Sequence, residues 1–332
     1  MIKTKLNNVS AIFLADYHIR GSQPVSRIDN FFEAIKTKTD FIIEISNQYN
    51  VPVIMAGDIG NEPEWENWLL TWTIATFSRF NNLPIVIPGQ HDLPNHNFNK
   101  IKKSAIKVLE TAGVIQILPN LEVFEMDDFI LYGYGYSAND KIIDVKKHKQ
   151  KRNVALIHKL ITNKDIGWES NEGVSARSLI EKYTGYDIFV CGDNHQLFTL
   201  KNGNRIVLNC GSVMRATANQ VSHLPSIWLW DAQENEIERV YLPIVDNVFH
   251  TDHLFIDKKQ KIEGGKECVD EFKGNLPKFL KTLEEKQNES LEGQETRFKF
   301  QKNMEVHLAN NRVHSKVSEK IWNAIGRGNH GL

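Results

Sequence analysis

The sequence predicts an α/β fold: a sandwich of two mixed β-sheets flanked by helices, with a mostly helical C-terminal extension. Three observations predict it. Short β-branched runs recur along the first two hundred residues, each ending in a polar cluster. Amphipathic stretches separate the early runs. From about residue 114, short strands crowd together with Gly and Asn between them.

The first run, residues 11–15, leads into Asp16-Tyr17-His18. The second, 51–56, leads into Gly57-Asp58. The third, 83–88, leads into Gly89-Gln90-His91-Asp92. The fourth, 154–157, leads into His158, and the fifth, 188–191, into Gly192-Asp193-Asn194-His195. Unalternating runs of four to six residues read as strands buried on both faces. Between them, Ile28, Phe31, Phe32 and Ile35 keep the spacing of a helix face, as do Trp65, Trp68, Leu69 and Trp72, and Ile101, Ala105, Val108 and Leu109. This alternation predicts a largely parallel first sheet. The crowded strands at 114–134, 197–210 and 226–243 predict a second, more antiparallel sheet packed on it. Trp228 and Trp230 are expected to pack on opposite faces of one of these strands.

After about residue 245 the texture shifts. Residues 283–297 are rich in Glu, Lys, Gln and Asn, and the spacing of Val317, Ile321, Trp322 and Ile325 predicts one face of a last helix. The expected organisation is a catalytic domain over 1–245 and a capping or partner-docking region over 246–332.

Composition narrows the function classes. A net charge of −1 over 332 residues offers no global basic field, so a nucleic-acid contact would need a local patch. The run Lys146-Lys147-His148-Lys149-Gln150-Lys151-Arg152 is one candidate, set against a solvated loop. Three cysteines (Cys191, Cys210 and Cys268) without CxxC spacing argue against a disulfide framework or a structural zinc site. No apolar run has the length of a signal-peptide core or a membrane span, so a cytoplasmic protein without a membrane partner is expected.

In α/β sheets, ligands gather at the carboxyl ends of strands. Here those ends carry Asp, His and Gln donors and no cysteine. Such donors suit hard or borderline divalent ions. Asp-x-His or Gly-Asp alone is weak, and His158 alone would more often be a packed histidine. Five strand ends in order, each with a suitable donor, are hard to produce by packing.

This ordered series, Asp16-x-His18, Gly57-Asp58, Gly89-Gln90-His91-Asp92, His158 and Gly192-Asp193-Asn194-His195, resembles the calcineurin-like metallophosphoesterase superfamily over about residues 9–245. Gly211-Ser212 with Arg215 resembles the segment closing this domain in SbcD-type DNA repair nucleases, and the Gln-His-Asp variant is similar to phage-encoded members of that branch. The resemblance implies that Asp16, His18 and His195 hold one metal, that Asp58 bridges two, and that Gln90, His158 and Asp193 hold the other. It implies that His91 stands over the site to meet substrate and that Asp92 orients it. Ser212 and Arg215 are the implied substrate contacts. Apart from the resemblance, Arg20 is a candidate phosphate contact from its place just past His18. The implied cofactors are two divalent ions, Mn²⁺ foremost, with Mg²⁺, Fe or Zn²⁺ as alternatives. Such a pair clamps a phosphate and lowers the pKa of a water between the ions. Two departures stand out: Gln90 replaces the family's Asn, and Asp193 replaces a His. The added carboxylate biases the second site toward Mn²⁺ or Mg²⁺.

The function expected from this resemblance is metal-dependent DNA exo- or endonuclease activity, with DNA, an SbcC-type ATPase subunit and a second copy of the chain as partners. Two alternatives stay open: a phosphatase or phosphodiesterase on non-DNA substrates, and a catalytically weak binding subunit of an SbcCD-like complex.

Overall fold

The computed structural model describes residues 3–136, 142–163 and 173–250. The chain divides into a unit over Met1–Phe255 and a unit over Ile256–Leu332. The helices and the capping or docking role expected beyond residue 250 lie outside the described residues.

Fourteen strands are described: β1 (Ala11–Leu14), β2 (Val53–Met55), β3 (Ile85–Val86), β4 (Gln116–Ile117), β5 (Val123–Glu125), β6 (Phe129–Tyr134), β7 (Arg152–His158), β8 (Leu160–Thr162), β9 (Gly173–Ser175), β10 (Ile188–Gly192), β11 (Phe198–Asn202), β12 (Arg205–Asn209), β13 (Ser226–Asp231) and β14 (Glu236–Tyr241). One six-stranded sheet runs β14-β13-β1-β2-β3-β4 and another runs β11-β12-β10-β7-β6-β5, with β8 and β9 paired apart. Helices α1 (Phe31–Tyr49), α2 (Asn67–Phe77) and α3 (Ala105–Thr111) follow β1, β2 and β3, and α4 (Ala176–Lys182) precedes β10.

The pleat of β1 shows how the layers form. Ile12 and Leu14 join the core shared with Phe31, Ile35 and Ile42 of α1. Ala11 and Phe13 face the other sheet, beside Val154, Leu156, Ile188 and Val190. On the far side of that second sheet, Ala155, Ile157 and Phe189 pack on Leu179 and Ile180 of α4. Both faces of the parallel strands are therefore buried, which is why their sequences do not alternate. The result is a four-layer α/β/β/α sandwich of two mixed sheets, as expected.

The allotment of strands to sheets differs from the expectation. β7 and β10 belong to the second sheet, where they pair in parallel with each other and with β6 and β12. β13 lies antiparallel to β1 in the first sheet. A run buried on both faces carries no signal of which sheet it joins. Trp228 and Trp230 both enter the core between the sheets, because residues two apart on a strand share a face.

α1 is capped at its start by Asn30, whose side chain accepts from Glu33 N–H, and ends at Asn50 in the left-handed conformation with φ 53°. Residues beyond 245 also tie back to this unit: Ile28 N–H donates to Val248 O at 3.0 Å and His250 N–H to Ser26 O at 3.1 Å. The Arg27 and Arg215 guanidiniums both approach the Phe249 ring, at 5.3 and 5.4 Å. Among the described residues, no helix is long and apolar enough to cross a membrane.

Candidate metal centre

The carboxyl ends of β1, β2, β3, β7 and β10 converge, although they belong to two sheets. Backbone bonds stitch the first two loops: Asp16 N–H donates to Gly57 O at 3.1 Å and His18 N–H to Asp58 O at 3.0 Å. His158, the last residue of β7, spans the sheets by placing Nδ1 2.6 Å from Ala56 O. Asp193 N–H donates to the Asp16 carboxylate at 3.0 Å, and the His195 and His18 Nε2 atoms lie 3.1 Å apart.

Four of the seven expected ligands adopt left-handed backbone: Asp16 (φ 51°), His18 (φ 51°), Asp58 (φ 52°) and Asp193 (φ 80°). Each such residue costs about 1–3 kcal/mol and persists only where its surroundings hold it, commonly at functional sites. Two glycines permit the close approach. A Cβ on Gly57, itself at φ 88°, would meet His158 Nδ1 at 2.1 Å, and one on Gly89 would meet Asp58 Oδ1 at 2.1 Å.

Among the described residues, three triads bring ligand atoms within 4.8 Å of one another: Asp16 with His18 and His195, Asp16 with Asp58 and His158, and His18 with Asp58 and His91. Gln90 joins the second, its Oε1 2.7 Å from His158 Nε2, while its Nε2 donates to Asp193 Oδ1 at 2.7 Å. Asp193 thus reaches the cluster through Gln90 and belongs to no triad. His91 is nearer the ligands than expected, with its ring 5.0 Å from that of His18.

The arrangement fits bound cations on its own chemistry. The His158 Nδ1 proton is committed to Ala56 O, so Nε2 of the neutral ring is a lone pair. That lone pair nevertheless faces two acceptors, Gln90 Oε1 at 2.7 Å and Asp58 Oδ2 at 3.4 Å. Three acceptors converge without a hydrogen between them, which calls for a proton or a metal. Asp58 Oδ2 is buried with no hydrogen-bond partner. The His18 and His195 Nε2 atoms, 3.1 Å apart, are close enough that both would hold one ion.

Electrostatics agree. Burial pushes the Asp16 carboxyl up to about 8, with Asp58 adding to the rise and His158 opposing it. Burial would lower His158, yet Asp58 and Asp16 overcome it and raise the ring to about 10. Burial would raise Asp58, but His158 and His18 hold it below the ordinary carboxylate range. Burial takes His18 down to about 3 and lowers His195 as well. Without a metal, the proton of the His158–Asp58 pair therefore sits on His158.

The residues expected around the ligands fare unevenly. Asp92 does not orient His91. It is 1 % exposed and accepts from the N–H groups of Gly89 (2.8 Å), Gly60 (2.9 Å) and Ile59 (3.2 Å), which pins the β2 and β3 loops together. His91 is oriented by Asn61, whose carbonyl lies 3.0 Å from Nδ1, and by Asp58, which accepts from its N–H at 2.9 Å. Arg20 is half-buried on the rim and donates to Ser22 Oγ and to Asn61 Oδ1. Ser212 and Arg215 are buried. Ser212 donates to Met214 O, while the Arg215 guanidinium donates to Val221 O and Val245 O. Their side chains are thus bonded within this segment, whose backbone meets the site: Ser212 N–H donates to His195 O at 3.2 Å and Val213 N–H to Asp16 O at 3.2 Å. The basic run at 146–152 lies at the amino end of β7, about 20 Å of strand from His158. Lys147 and Arg152 there pair with Asp187, and Lys151 pairs with Glu125.

Two supporting residues have no sequence signature. Asn61 acts through its backbone carbonyl. Asn209 Nδ2 donates to the carbonyls of Asn194 (2.6 Å) and Gln196 (2.7 Å), clamping the loop that carries His195.

Among solved structures, the chain is similar to an archaeal phosphodiesterase at 16 % identity, covering 70 % of this chain and 99 % of that one with a TM-score of 0.39. It is also similar to wild-type Vps29 complexed with zinc from Entamoeba histolytica, at 15 % identity, 70 % and 98 % coverage and a TM-score of 0.36. No curated protein matches the chain. The family described as calcineurin-like phosphoesterase matches residues 10–197. That span is more than half of the sequence and contains every expected ligand, and the chain belongs to the calcineurin-like phosphoesterase family, hydrolases of phosphoester bonds.

Proposed function

We propose that this chain is a two-metal phosphodiesterase, with DNA as the substrate implied by its resemblance to the SbcD-type nucleases. Asp16, His18 and His195 would hold one ion, and Gln90, His158 and Asp193 the other, with Asp58 between them. When bound, the pair supplies Lewis acidity toward a phosphoryl oxygen and a lowered pKa for a nucleophilic water. The observation that carries the diester reading is Asp193, held beside the second set by Gln90 at 2.7 Å. Three carboxylates against two divalent cations leave one net positive charge. That complements a monoanionic diester better than a dianionic monoester.

His91 is the proton donor. With Nδ1 turned to Asn61 O, its Nε2 is the nitrogen available to the leaving oxygen, and a donor of this kind contributes roughly 10²–10⁴-fold. The half-buried ring keeps one edge accessible.

A second reading, a phosphodiesterase of small non-DNA esters, is favoured by the burial of Ser212 and Arg215 and by the remote basic run. Full-length protein with Mn²⁺, given end-labelled single- and double-stranded DNA, bis(p-nitrophenyl) phosphate and p-nitrophenyl phosphate, separates the cases. Hydrolysis of diesters and of DNA, lost in Asp58→Ala, is the expected result. Faster turnover of the monoester overturns the diester reading, and diester cleavage without DNA cleavage confines the enzyme to small substrates.

A further inference from the structure

We infer that His96 and Tyr136 form an aromatic shelf at the mouth of the metal centre that takes the base of a nucleoside phosphodiester; this rests on the phosphodiesterase reading.

The two rings come from different sheets of the sandwich and meet at a centroid distance of 5.9 Å, tilted by 58°. The pair is open to solvent: Tyr136 is 37 % exposed and His96 is exposed as well. Their backbones are tied to the segment that bears Gln90 and His91. Tyr136 lies two residues past the end of β6 and its N–H donates to Pro88 O at 2.8 Å. Gly135, just before it, donates to Asn120 Oδ1 at 2.8 Å, and a Cβ there would lie 2.8 Å from Pro88 O, so this crossing is tight. Only Gly89 separates Pro88 from Gln90, which puts the tyrosine backbone within roughly 10 Å of that ligand's backbone.

His96 is set from the other direction. Leu93, 1 % exposed, anchors the chain directly after His91 and Asp92, and the turn Pro94–His96 follows at once. Asn95 and His96 are both left-handed, with φ 54° and 53°. Two such residues in succession are uncommon outside glycine and are held here by His96 N–H to Leu93 O and Asn97 N–H to Pro94 O. Strain retained in an exposed turn beside a catalytic segment, with no burial gained by the ring it carries, fits a side chain positioned for a ligand.

A tilted, open pair of rings offers a π-face to any planar group. Base–aromatic stacking tolerates every nucleobase. A simple alkyl ester has nothing to place there.

The test compares two diesters with the same leaving group: the p-nitrophenyl ester of thymidine 5′-monophosphate and methyl p-nitrophenyl phosphate. Tyr136→Ala and His96→Ala should each raise KM for the thymidine ester about tenfold, leaving kcat and both constants for the methyl ester within about twofold. Tyr136→Phe, which keeps the ring, should match the unaltered enzyme. His96 is exposed, so its variant retains the test if Tyr136→Ala fails to fold. Unchanged KM values, or equal shifts for both esters, overturn the shelf. If neither ester is hydrolysed, calorimetry of thymidine 5′-monophosphate binding to the Mn²⁺-loaded protein decides separately. Binding weakened about tenfold in Tyr136→Ala upholds the shelf while the diesterase reading fails. Binding indifferent to all three substitutions overturns it.

Discussion

The Nδ1 atom of His91 lies 3.0 Å from the carbonyl oxygen of Asn61, while the adjacent Asp92 carboxylate accepts from backbone N–H groups instead. The two neighbours therefore do different work. Asp92 accepts three buried N–H bonds, so Asp92→Ala strands three donors at about 1–3 kcal/mol each. A fall in melting temperature of ten degrees or more is expected. His91→Ala should melt within about two degrees of the parent while losing ~10²–10⁴-fold in rate on alkyl leaving groups. It should lose far less on p-nitrophenolate, which departs without a proton. Thermal unfolding and rates on both leaving groups check this. Equal melting temperatures for the two variants would refute the division.

Gly89 offers a second test. A Cβ at this position would sit 2.1 Å from Asp58 Oδ1 and 2.4 Å from Asp58 N, inside van der Waals contact. Gly89→Ala must displace the Asp58 carboxylate or its loop. Mn²⁺ affinity should fall by about tenfold or more, with a stability loss of about 1–3 kcal/mol. Titration calorimetry and denaturant unfolding read the two effects separately. Unaltered Mn²⁺ binding would show that Asp58 is not needed where it stands.

The metal-free site stores protons, and metal must displace them. Asp16, raised to about 8, and His158, raised to about 10, both carry a proton at pH 7. Metal binding needs both deprotonated. About two protons should be released per site at pH 7, falling toward one above pH 8, with affinity rising as pH rises. Calorimetry in buffers of different ionisation enthalpy counts them. Chelation should lower the melting temperature, since cations bind the folded state alone. Asp193→His, which exchanges a carboxylate for an imidazole, should shift the preference from Mn²⁺ toward Zn²⁺.

The donor cluster was legible because strand-end donors lie in a fixed order along the chain, and β-branched runs mark the strands that carry them. Second-line contacts were not. Asp92 follows His91 in sequence, but the loop turns its carboxylate back onto the backbone of Ile59 and Gly60. Asn61 and Ala56 act through carbonyls, which every residue has. Arg215 looked like a substrate contact from its segment, yet its guanidinium is spent on Val221 O, Val245 O and the Phe249 face. Which sheet a strand joins is equally silent, because both faces of β1 and β7 are apolar.

Behind that segment, Lys38 is 3 % exposed and donates from Nζ to Val213 O at 2.7 Å. Burial pushes its ammonium down from 10.5 to about 7, with Arg215 and Arg27 adding to the fall and Asp29 opposing it. The folded pKa is thus below the unfolded one. Between pH 7 and 10.5 the unfolded chain binds a proton that the folded chain has released, so this group makes stability rise with pH across that window. Its penalty is complete below pH 7 and gone above 10.5. Lys38→Met should therefore stabilise the protein by on the order of 3–5 kcal/mol at pH 6–7, with the gain shrinking steadily at pH 8 and 9. The unpaired Val213 carbonyl takes back about 1 kcal/mol at every pH. Urea unfolding of both proteins across this range isolates the difference from all other titrating groups. A difference that does not change with pH would mean that Lys38 keeps its ordinary pKa in the fold.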